Sequence, residues 1–552
     1  MPTNLVDGPT KCLLVQPKFS GHSFWNYLDV CKFVGAKYSA APLGLMTVAA
    51  LLPEHWDLKL IDENVEPLTD EDIAAADIVM ASGMLPQQKT LQAVIARAHE
   101  WGKPVAVGGP DPTSQPEMYK NADYRVLGEG EVTLPPFLED LRRGEAKPIY
   151  QSKERADMAR AVVPRFDLIK FSNYMHVGVQ FCRGCPYNCE FCDVIELFGR
   201  RPRTKDPEQI LRELQYLYDL GYRGHVDFVD DNLIGNRRKA IPLLTAIRDW
   251  QEERDYPFYF TTEASLNLAK DEQLLTLMRA NDFRYVFIGI ETPDENILKK
   301  TSMHLKEDAT VAGAIKKISS YGMIVNAGFI VGFDNENERT AQNMISCIQD
   351  AGICMAMVGT LYALPNTQLT RRLKKEGRLL YENSSEVDAE KNYDQTSSGL
   401  NFIPDRPTVD VLRDYARVME YIYDPKNYYA RVARTGANLR LDPKHRPPFR
   451  AKLKMAWAFV KINYRISMSP RVAYYYWKTF FRFLFTSPAA LVATVNLAAM
   501  YVHFHKQSRF TVANIKERIA NIIAVDKAAR RRAPAGPISN PVPNLGTDQA
   551  QS

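Results

Sequence analysis

Residues 181–193 read Phe-Cys-Arg-Gly-Cys-Pro-Tyr-Asn-Cys-Glu-Phe-Cys-Asp. Within this stretch Cys185, Cys189 and Cys192 have the spacing Cys-x3-Cys-x2-Cys, so three thiolates on one loop can hold three irons of a [4Fe–4S] cube. Ordinary electron-transfer cubanes use four cysteines, and a set of three leaves one iron open to another molecule. The stretch therefore predicts a cluster that takes part in chemistry.

Cys182 adds a fourth thiol and leaves two other interpretations open. One is a zinc site, although zinc ribbons place about 15–20 residues between their cysteine pairs, far more than separate them here. The other is a closed cluster with Cys182 as its fourth ligand. A disulfide framework is disfavoured, because eight cysteines in 552 residues without a recognisable secretion signal suit a reducing cytosol. The isolated thiols are predicted to be buried apolar side chains: Cys12, Cys31, Cys347 and Cys354.

Length and composition indicate a globular protein of about three domains, since 552 residues exceed one ordinary domain. A formal net charge of +5 is small for this size and gives no indication of a nucleic-acid partner. We predict domains at 1–150, 165–400 and 401–532, followed by a tail at 533–552. The tail is poor in apolar side chains and is expected to be disordered.

The first 150 residues alternate short apolar runs with helical patterns. The runs lie at 11–17, 58–62, 78–82 and 105–109, with helices predicted at 42–52 and 88–101. This alternation predicts a Rossmann-like α/β domain, in which ligands bind beyond the carboxyl ends of the strands. Glycines in those loops let the backbone approach a ligand: Gly83, Gly108, Gly109 and Gly128. No Gly-x-Gly-x-x-Gly follows the first strand, which disfavours a dinucleotide site.

A second strand–helix series surrounds the cysteine stretch and predicts a partial (β/α)6 barrel. Its strands are expected at 176–181, 225–229, 258–262, 285–290, 324–331 and 355–361, with an amphipathic helix at 207–220. Barrel active sites lie at the carboxyl ends of strands. The candidate site residues found there, besides the cysteines, are Asp230, Asp231, Glu263, Glu291, Gly328 and Gly332.

This combination resembles the radical S-adenosylmethionine (SAM) superfamily, and the preceding domain looks like a cobalamin-binding domain. Within the cobalamin-dependent group the chain resembles the hopanoid C-2 methylase family, over roughly residues 10–400. The strings that carry this resemblance include Leu52-Pro53-Glu54-His55-Trp56, Phe228-Val229-Asp230-Asp231-Asn232 and Ile288-Gly289-Ile290-Glu291-Thr292-Pro293.

The resemblance implies a role for each candidate residue. The open iron of the cluster on Cys185, Cys189 and Cys192 binds the amino and carboxylate groups of SAM. Asp230 and Asp231 are placed to accept hydrogen bonds from the SAM ammonium group. Glu291 occupies the ribose-binding position, and the backbone at Gly328 and Gly332 passes the adenine. Glu263 ends the strand that lies between the strands of Asp231 and Glu291.

The amino-terminal domain departs from the common cobalamin signature Asp-x-His-x-x-Gly. After the first strand, His22 is followed by Ser-Phe-Trp, so no histidine is expected beneath the cobalt. Many cobalamin-dependent radical SAM enzymes also lack that histidine. A Rossmann-like domain with a structural or regulatory role remains the alternative.

From about Lys452 the composition changes to aromatic and basic residues. Residues 470–485 alternate aromatic and basic side chains, and 483–502 carry no charge. Three interpretations remain open for this mostly helical region: a transmembrane helix, an interfacial helix, or a helix that covers the domain. We predict the interfacial arrangement, which gives a cytoplasmic protein with peripheral contact on the inner face of the membrane.

The predicted function is radical methyl transfer to an unactivated carbon of an apolar substrate, for which the resemblance suggests a hopanoid. The resemblance implies a [4Fe–4S] cluster, cobalamin and two SAM molecules, one as methyl source and one as source of the 5′-deoxyadenosyl radical. It also implies a low-potential donor such as ferredoxin or flavodoxin. The alternatives are a non-methylating radical enzyme, acting by cyclisation or rearrangement, and a cobalamin- or SAM-sensing regulator.

Overall fold

The computed structural model describes residues 5–19, 21, 26–294, 310–381 and 399–532. His22 and the predicted disordered tail at 533–552 lie outside the described residues. The strands are β1 (Lys11–Gln16), β2 (Tyr38–Ala40), β3 (Asp57–Asp62), β4 (Ile78–Ser82), β5 (Val105–Gly108), β6 (Tyr124–Leu127), β7 (Ile149–Gln151), β8 (Tyr174–Val179), β9 (Cys182–Arg183), β10 (Arg203–Thr204), β11 (Gly224–Phe228), β12 (Phe258–Ala264), β13 (Phe283–Glu291), β14 (Ile324–Val331) and β15 (Ala356–Thr360).

Helices connect the strands and form the carboxyl-terminal region. They span Leu28–Val34, Leu43–Leu51, Asp70–Ala75, Gln88–Glu100, Pro110–Ser114, Gly130–Arg143, Val194–Leu197, Pro207–Asp219, Arg237–Glu253, Glu272–Ala280, Val311–Ser320, Thr340–Ala351, Gln368–Lys375, Thr408–Ile422, Pro425–Asn438, Phe449–Ser467, Pro470–Thr486 and Pro488–Arg532.

The amino-terminal domain is built on a parallel sheet of order β3-β1-β4-β5-β6-β7. Its strands are continuous apolar runs because both faces are covered by helices; Leu13, Leu14 and Val15 of β1 are fully buried. The order reverses beside β1, so the loops after β1 and β4 open into one crevice. The predicted Rossmann-like fold is confirmed.

The second sheet is a parallel half-barrel of order β15-β14-β13-β12-β11-β8-β2. Six of its strands are the predicted ones, and the partial (β/α)6 barrel is confirmed. The seventh, β2, comes from within the first 150 residues and pairs in parallel with β8. This pairing was not predicted, because a strand of three residues carries too little periodicity to be recognised.

The carboxyl-terminal region is mostly helical, as predicted. The long helix Pro488–Arg532 packs against Thr408–Ile422, Pro425–Asn438 and Pro470–Thr486. The uncharged stretch at 483–502 is divided at Ser487, and its second part is core: Ala490, Ala493, Leu497, Ala498 and Tyr501 are buried. In the described part of the chain no helix has the length and apolar character needed to cross a membrane.

Candidate functional site

The cysteine loop leaves the barrel at β8 and is closed at its base by a small hairpin. β9 pairs antiparallel with β10, and the amide of Cys185 donates to the carbonyl of Gly199 at 3.3 Å. Gly184 lies at this neck with a φ of +92°, and a Cβ there would lie 2.9 Å from the carbonyl oxygen of Gly199. Only glycine combines this backbone conformation with so close an approach.

The three predicted ligands differ from Cys182 in exposure. Cys182 is buried in β9, whereas Cys185, Cys189 and Cys192 are partly exposed on the loop, and all are free thiols. Burial, the Glu291 carboxylate and the Cys185 thiol raise the pKa of Cys189 to about 12. Burial also raises the pKa of Cys192, with smaller effects of Asp193 and the two other thiols. The Cys189 thiol is therefore close to the Cys185 thiol, and the Cys192 thiol is close to both.

Three free, partly exposed thiols on one loop are a donor set that fits iron in a cubane. In the described ranges, no three histidine, cysteine, aspartate or glutamate side chains already surround a common point at metal-binding distance. Cys185, Cys189 and Cys192 therefore remain our proposed ligands on the basis of donor chemistry and proximity.

Asp230 and Asp231 follow β11 and hold the base of the cysteine loop. Asp230 accepts a hydrogen bond from the amide of Cys182, and Asp231 accepts one from the amide of Gly184 at 2.8 Å. The second carboxylate oxygen of Asp230 is buried without a partner among the described residues. Burial raises the pKa of both groups, most strongly that of Asp230. These hydrogen bonds connect the barrel to the cysteine loop, in addition to the SAM-binding role proposed for both aspartates.

Glu263 and Glu291 bring two more carboxyls to the same end of the barrel. Burial and the nearby carboxylates of β11 and its following loop raise the pKa of Glu263 to about 8, and burial alone raises that of Glu291 to about 8. Burial, Asp231 and Glu263 raise the pKa of Cys185, and burial and Glu291 raise that of Cys189. Both acids therefore face the cysteine loop, where a ligand with hydrogen-bond donors would relieve the cost of ionising them.

Glu291 has a φ of +63°, which is uncommon for a residue with a side chain. Its carboxylate folds back over Gly289, where a Cβ would clash with Oε1. Gly289 pairs with Gly328 on the neighbouring strand, so two glycines lie side by side in the barrel wall. Gly332 lies past the end of β14 with a φ of +113°, and its amide donates to Glu336. A positive φ at a glutamate costs about 1–3 kcal/mol, and such conformations are frequent at functional sites, which supports the proposed ribose role of Glu291.

The glycine-rich loops of the amino-terminal domain end neighbouring strands. Gly83 follows β4, Gly108 and Gly109 end and follow β5, and Gly128 follows β6. A Cβ at Gly108 would lie 2.8 Å from the carbonyl oxygen of Val126. Packing within the protein thus accounts for Gly108 by itself. The cobalamin role of these glycines remains a proposal that rests on their position at the strand ends.

An arginine clamp joins this domain to the cysteine loop; it consists of Arg183, Arg203, Glu129 and Glu131. Glu129, whose side chain is fully buried, accepts from Arg183 at 2.8 Å and from Arg203 at 2.8 Å. Arg183 also pairs with Glu131 at 2.9 Å. Burial acts to raise the pKa of Glu131, but Arg183 outweighs it and leaves that pKa below its ordinary value.

The clamp was not predicted from the sequence. Its acids are Glu129 in the loop that follows β6 and Glu131 in the first turn of the next helix, and Arg183 is two residues from Cys185. The only signal was an arginine directly after Cys182 and the pair of acids in Gly128-Glu129-Gly130-Glu131. Nothing in either motif indicates that they meet, because their partners are more than fifty positions away along the chain.

A second support comes from the helix Gln368–Lys375 after the last barrel strand. Arg372 pairs with Glu190 at 2.9 Å, and Gln368 donates to Asn188 at 2.9 Å. Asn366 reaches the amino-terminal domain and donates to the carbonyl of Ser114 at 2.6 Å. The residues between the first and last cysteines are therefore fixed by side chains from the opposite edge of the barrel.

Family models match three parts of the chain. Residues 33–138 match the B12 binding domain, 179–348 match the radical SAM superfamily, and 367–517 match a domain of unknown function, DUF4070. The chain is 40% identical to an uncharacterized methyltransferase of Synechocystis sp., over 93% of this chain and 95% of that protein. It is 37% identical to the hopanoid C-2 methylase of Rhodopseudomonas palustris, over 67% of this chain and 70% of that protein.

A solved structure extends the likeness to the whole fold. The cobalamin-dependent SAM radical enzyme OxsB, with aqua-cobalamin and SAM bound, aligns with a TM-score of 0.57 at 14% identity. The alignment covers 95% of this chain and 81% of that one. It includes the carboxyl-terminal helices as well as the two α/β domains, so the order of the three parts is shared.

Proposed function

We propose a substrate class for this chain, which belongs to the cobalamin-dependent radical SAM methyltransferases. In this proposal it methylates an unactivated carbon of an apolar lipid. The specific candidate is a hopanoid, methylated at C-2. The observation that carries this proposal is the relationship to the hopanoid C-2 methylase, which spans the region containing the cysteine loop and the carboxyl-lined barrel end. An unactivated carbon is neither nucleophilic nor acidic, and only a radical route makes it reactive.

The cofactors supply the difficult chemistry when bound: an electron from the cluster to cleave SAM, and a methyl group carried by cobalamin. We assign this chain's residues to positioning. Cys185, Cys189 and Cys192 hold the cluster, and the Asp231 bond to the amide of Gly184 fixes the neck of their loop. We assign Glu291 to accept hydrogen bonds from the ribose hydroxyls, and its uncommon backbone conformation supports a functional role.

We infer that the arginine clamp helps to hold the two cofactors in a fixed position relative to each other. Glu129 follows Gly128 at the strand ends proposed to hold cobalamin, and Arg183 precedes the neck of the cysteine loop. Because methyl transfer to a short-lived radical requires fixed geometry, an ion pair with a fully buried carboxylate is a suitable connection.

The same proposal includes two partners. Reducing the cluster needs a low-potential donor, for which ferredoxin or flavodoxin is the candidate. An apolar lipid resides in a membrane, so we also infer peripheral attachment of this protein on the inner face of a membrane. The basic and aromatic composition between Lys452 and Lys506 supports that attachment.

Lipid analysis of a strain that lacks this gene tests the substrate. The extract is expected to lose one methylated lipid and to accumulate its unmethylated precursor, and the wild-type gene should restore the product. A copy carrying Cys189→Ala is the matched control and should not restore it. An unchanged set of methylated lipids, with another metabolite missing, would favour the non-methylating alternative.

A further inference from the structure

The helix Phe449–Ser467 exposes an unusual amount of apolar surface. Its buried side chains are Ala458, Ile462 and Ile466, one turn apart, and they attach the helix to the rest of the region. Exposed fractions on the other side are 74% for Phe449, 68% for Trp457 and 70% for Tyr464.

These exposed side chains form one continuous stripe. Side chains three or four residues apart lie on the same side of a helix. The stripe, which we call the docking stripe, consists of Phe449, Leu453, Trp457, Val460, Tyr464 and Met468. Single exposed apolar residues are normal on proteins, whereas a contiguous patch of this kind marks an interaction surface.

A basic row runs beside the docking stripe. Arg450, Lys454, Lys461 and Arg465 are also spaced at one or two turns, and the whole helix has no acidic residue. The adjoining helix Pro470–Thr486 has none either and adds exposed Tyr474, Phe481 and Phe485. The pattern of an apolar stripe, interfacial aromatic rings and flanking cations is typical of helices that lie in the headgroup layer of a membrane.

The helix that carries the docking stripe is connected to the barrel through one other helix. Helix Phe449–Ser467 packs against helix Leu28–Val34. That helix begins after Tyr27, whose pKa is raised by burial and by the carboxylates of Asp227 and Glu263 in the barrel. Helix Leu28–Val34 therefore lies between the helix that carries the stripe and side chains next to the candidate site.

We propose that the docking stripe is the surface by which this protein lies on an anionic lipid bilayer and through which the apolar substrate is delivered. The proposal rests on the proposed function for its substrate, and it assigns the contact to 449–468. The second half of the uncharged segment at 483–502 is core and is excluded. Charge complementarity selects this occupant, since a cationic helix without acids repels a second copy of itself while phosphatidylglycerol attracts it.

Vesicle binding by the full chain tests the docking stripe. Vesicles of phosphatidylcholine with about 30 mol % phosphatidylglycerol should bind the wild type, and pure phosphatidylcholine much less, because the basic row contributes. Leu453→Ser combined with Trp457→Ser and Tyr464→Ser should lower the partition coefficient at least about tenfold. Trp101→Ser, an exposed tryptophan on the amino-terminal domain, is the matched control and should not lower it.

The charge arm uses Lys454→Gln, Lys461→Gln and Arg465→Gln, with exposed Lys153→Gln, Arg212→Gln and Lys270→Gln as its control. The first set should reduce the preference for anionic vesicles, and the second should leave it unchanged at the same net charge. Brominated lipid should also quench the tryptophan fluorescence of the bound wild-type protein, and it should quench that of Trp457→Phe less. Normal vesicle binding by the stripe variant would overturn the proposal, and so would a dimer that the stripe variant dissociates.

Presenting the lipid in detergent separates this proposal from the proposed function. The stripe variant should methylate micellar lipid at the wild-type rate and fail only with vesicles. If no chain methylates the lipid in either form while vesicle binding follows the prediction, the substrate assignment fails and the docking stripe stands.

Discussion

Individual cysteines have separable roles in this chain. Cys185→Ala, Cys189→Ala and Cys192→Ala should each abolish SAM cleavage and the ultraviolet–visible signature of an anaerobically reconstituted cluster. Cys182→Ala should retain both, because Cys182 is buried in β9 rather than displayed on the loop. Loss of the cluster in Cys182→Ala together with its retention in Cys189→Ala would show that the ligand set is wrong.

Glu291 should make the stability of the ligand-free protein depend on pH. Its pKa is raised from 4.5 to about 8, so ionisation costs more in the folded than in the unfolded state. The penalty is absent below about pH 4.5 and complete above about pH 8. Glu291→Gln removes it and should raise the free energy of unfolding at pH 9 by roughly 2–4 kcal/mol.

Denaturation of the ligand-free protein at pH 5 and pH 9 measures this effect. The advantage of Glu291→Gln over the wild type should appear only at the higher pH, while the exposed control Glu54→Gln should follow the wild type at both. The same variant should bind SAM more weakly, since an amide accepts less strongly than a carboxylate. An equal advantage at both pH values would contradict the raised pKa.

At the scale of elements, the arginine clamp joins a loop of one domain to a loop of the next. Glu129→Gln leaves the half-buried Arg203 without a carboxylate and Arg183 with Glu131 alone, and it should cost roughly 1–3 kcal/mol of stability. Cluster and cobalamin should still bind, but 5′-deoxyadenosine should form in excess over methylated product. Glu139→Gln on the following helix, which breaks only exposed ion pairs, is the control.

Dipolar coupling between the reduced cluster and cob(II)alamin gives a readout for the clamp that does not depend on turnover. A broadened distribution of distances in Glu129→Gln, with a wild-type distribution in Glu139→Gln, is expected. If both variants keep the wild-type distribution and product ratio, the clamp stabilises the fold without positioning the cofactors.

The loops at the strand ends of the amino-terminal domain are expected to hold one cobalamin without a histidine ligand. Electron paramagnetic resonance of the cob(II)alamin form should show no nitrogen superhyperfine splitting from a protein imidazole. The reason is that the loop after β1 continues as Pro17-Lys18-Phe19 and lacks the usual histidine spacing. Such a splitting would contradict the prediction, and a protein that takes up no cobalamin would contradict the role of the domain.

At the scale of the whole molecule, sequence periodicity predicted most strands of the two sheets, but not β2, β6 or β7. The long buried strand β14 was predicted residue for residue because its apolar run is bounded by turn residues, whereas β12 and β13 extend beyond their predicted bounds. β2 and the arginine clamp were not predicted, because each depends on pairing between distant segments that no local pattern encodes. The carboxyl-terminal region shows the same limit: composition identified an aromatic and basic region, but only packing shows that the apolar stripe at 449–468 is exposed.

The candidate site shows the same division between features that the sequence predicts and features that only the structure reveals. The cysteines, Glu263 and Glu291 were found because each follows a predicted strand, and parallel strands bring their carboxyl ends together. The bonds from Asp230 and Asp231 to the cysteine loop depend on backbone amides, which have no sequence signature. The positive φ of Glu291 was equally invisible, since glutamate does not favour it.

The central claim is that this chain transfers a methyl group from SAM to an apolar lipid. Incubation of the reconstituted protein with a reductant, cobalamin, S-[methyl-²H₃]adenosylmethionine and hopanoid in detergent tests it most directly, with mass spectrometry of the extracted lipid. The account predicts a product carrying an intact trideuterated methyl group, formed together with 5′-deoxyadenosine and S-adenosylhomocysteine. Formation of 5′-deoxyadenosine with a rearranged, unlabelled product would contradict it.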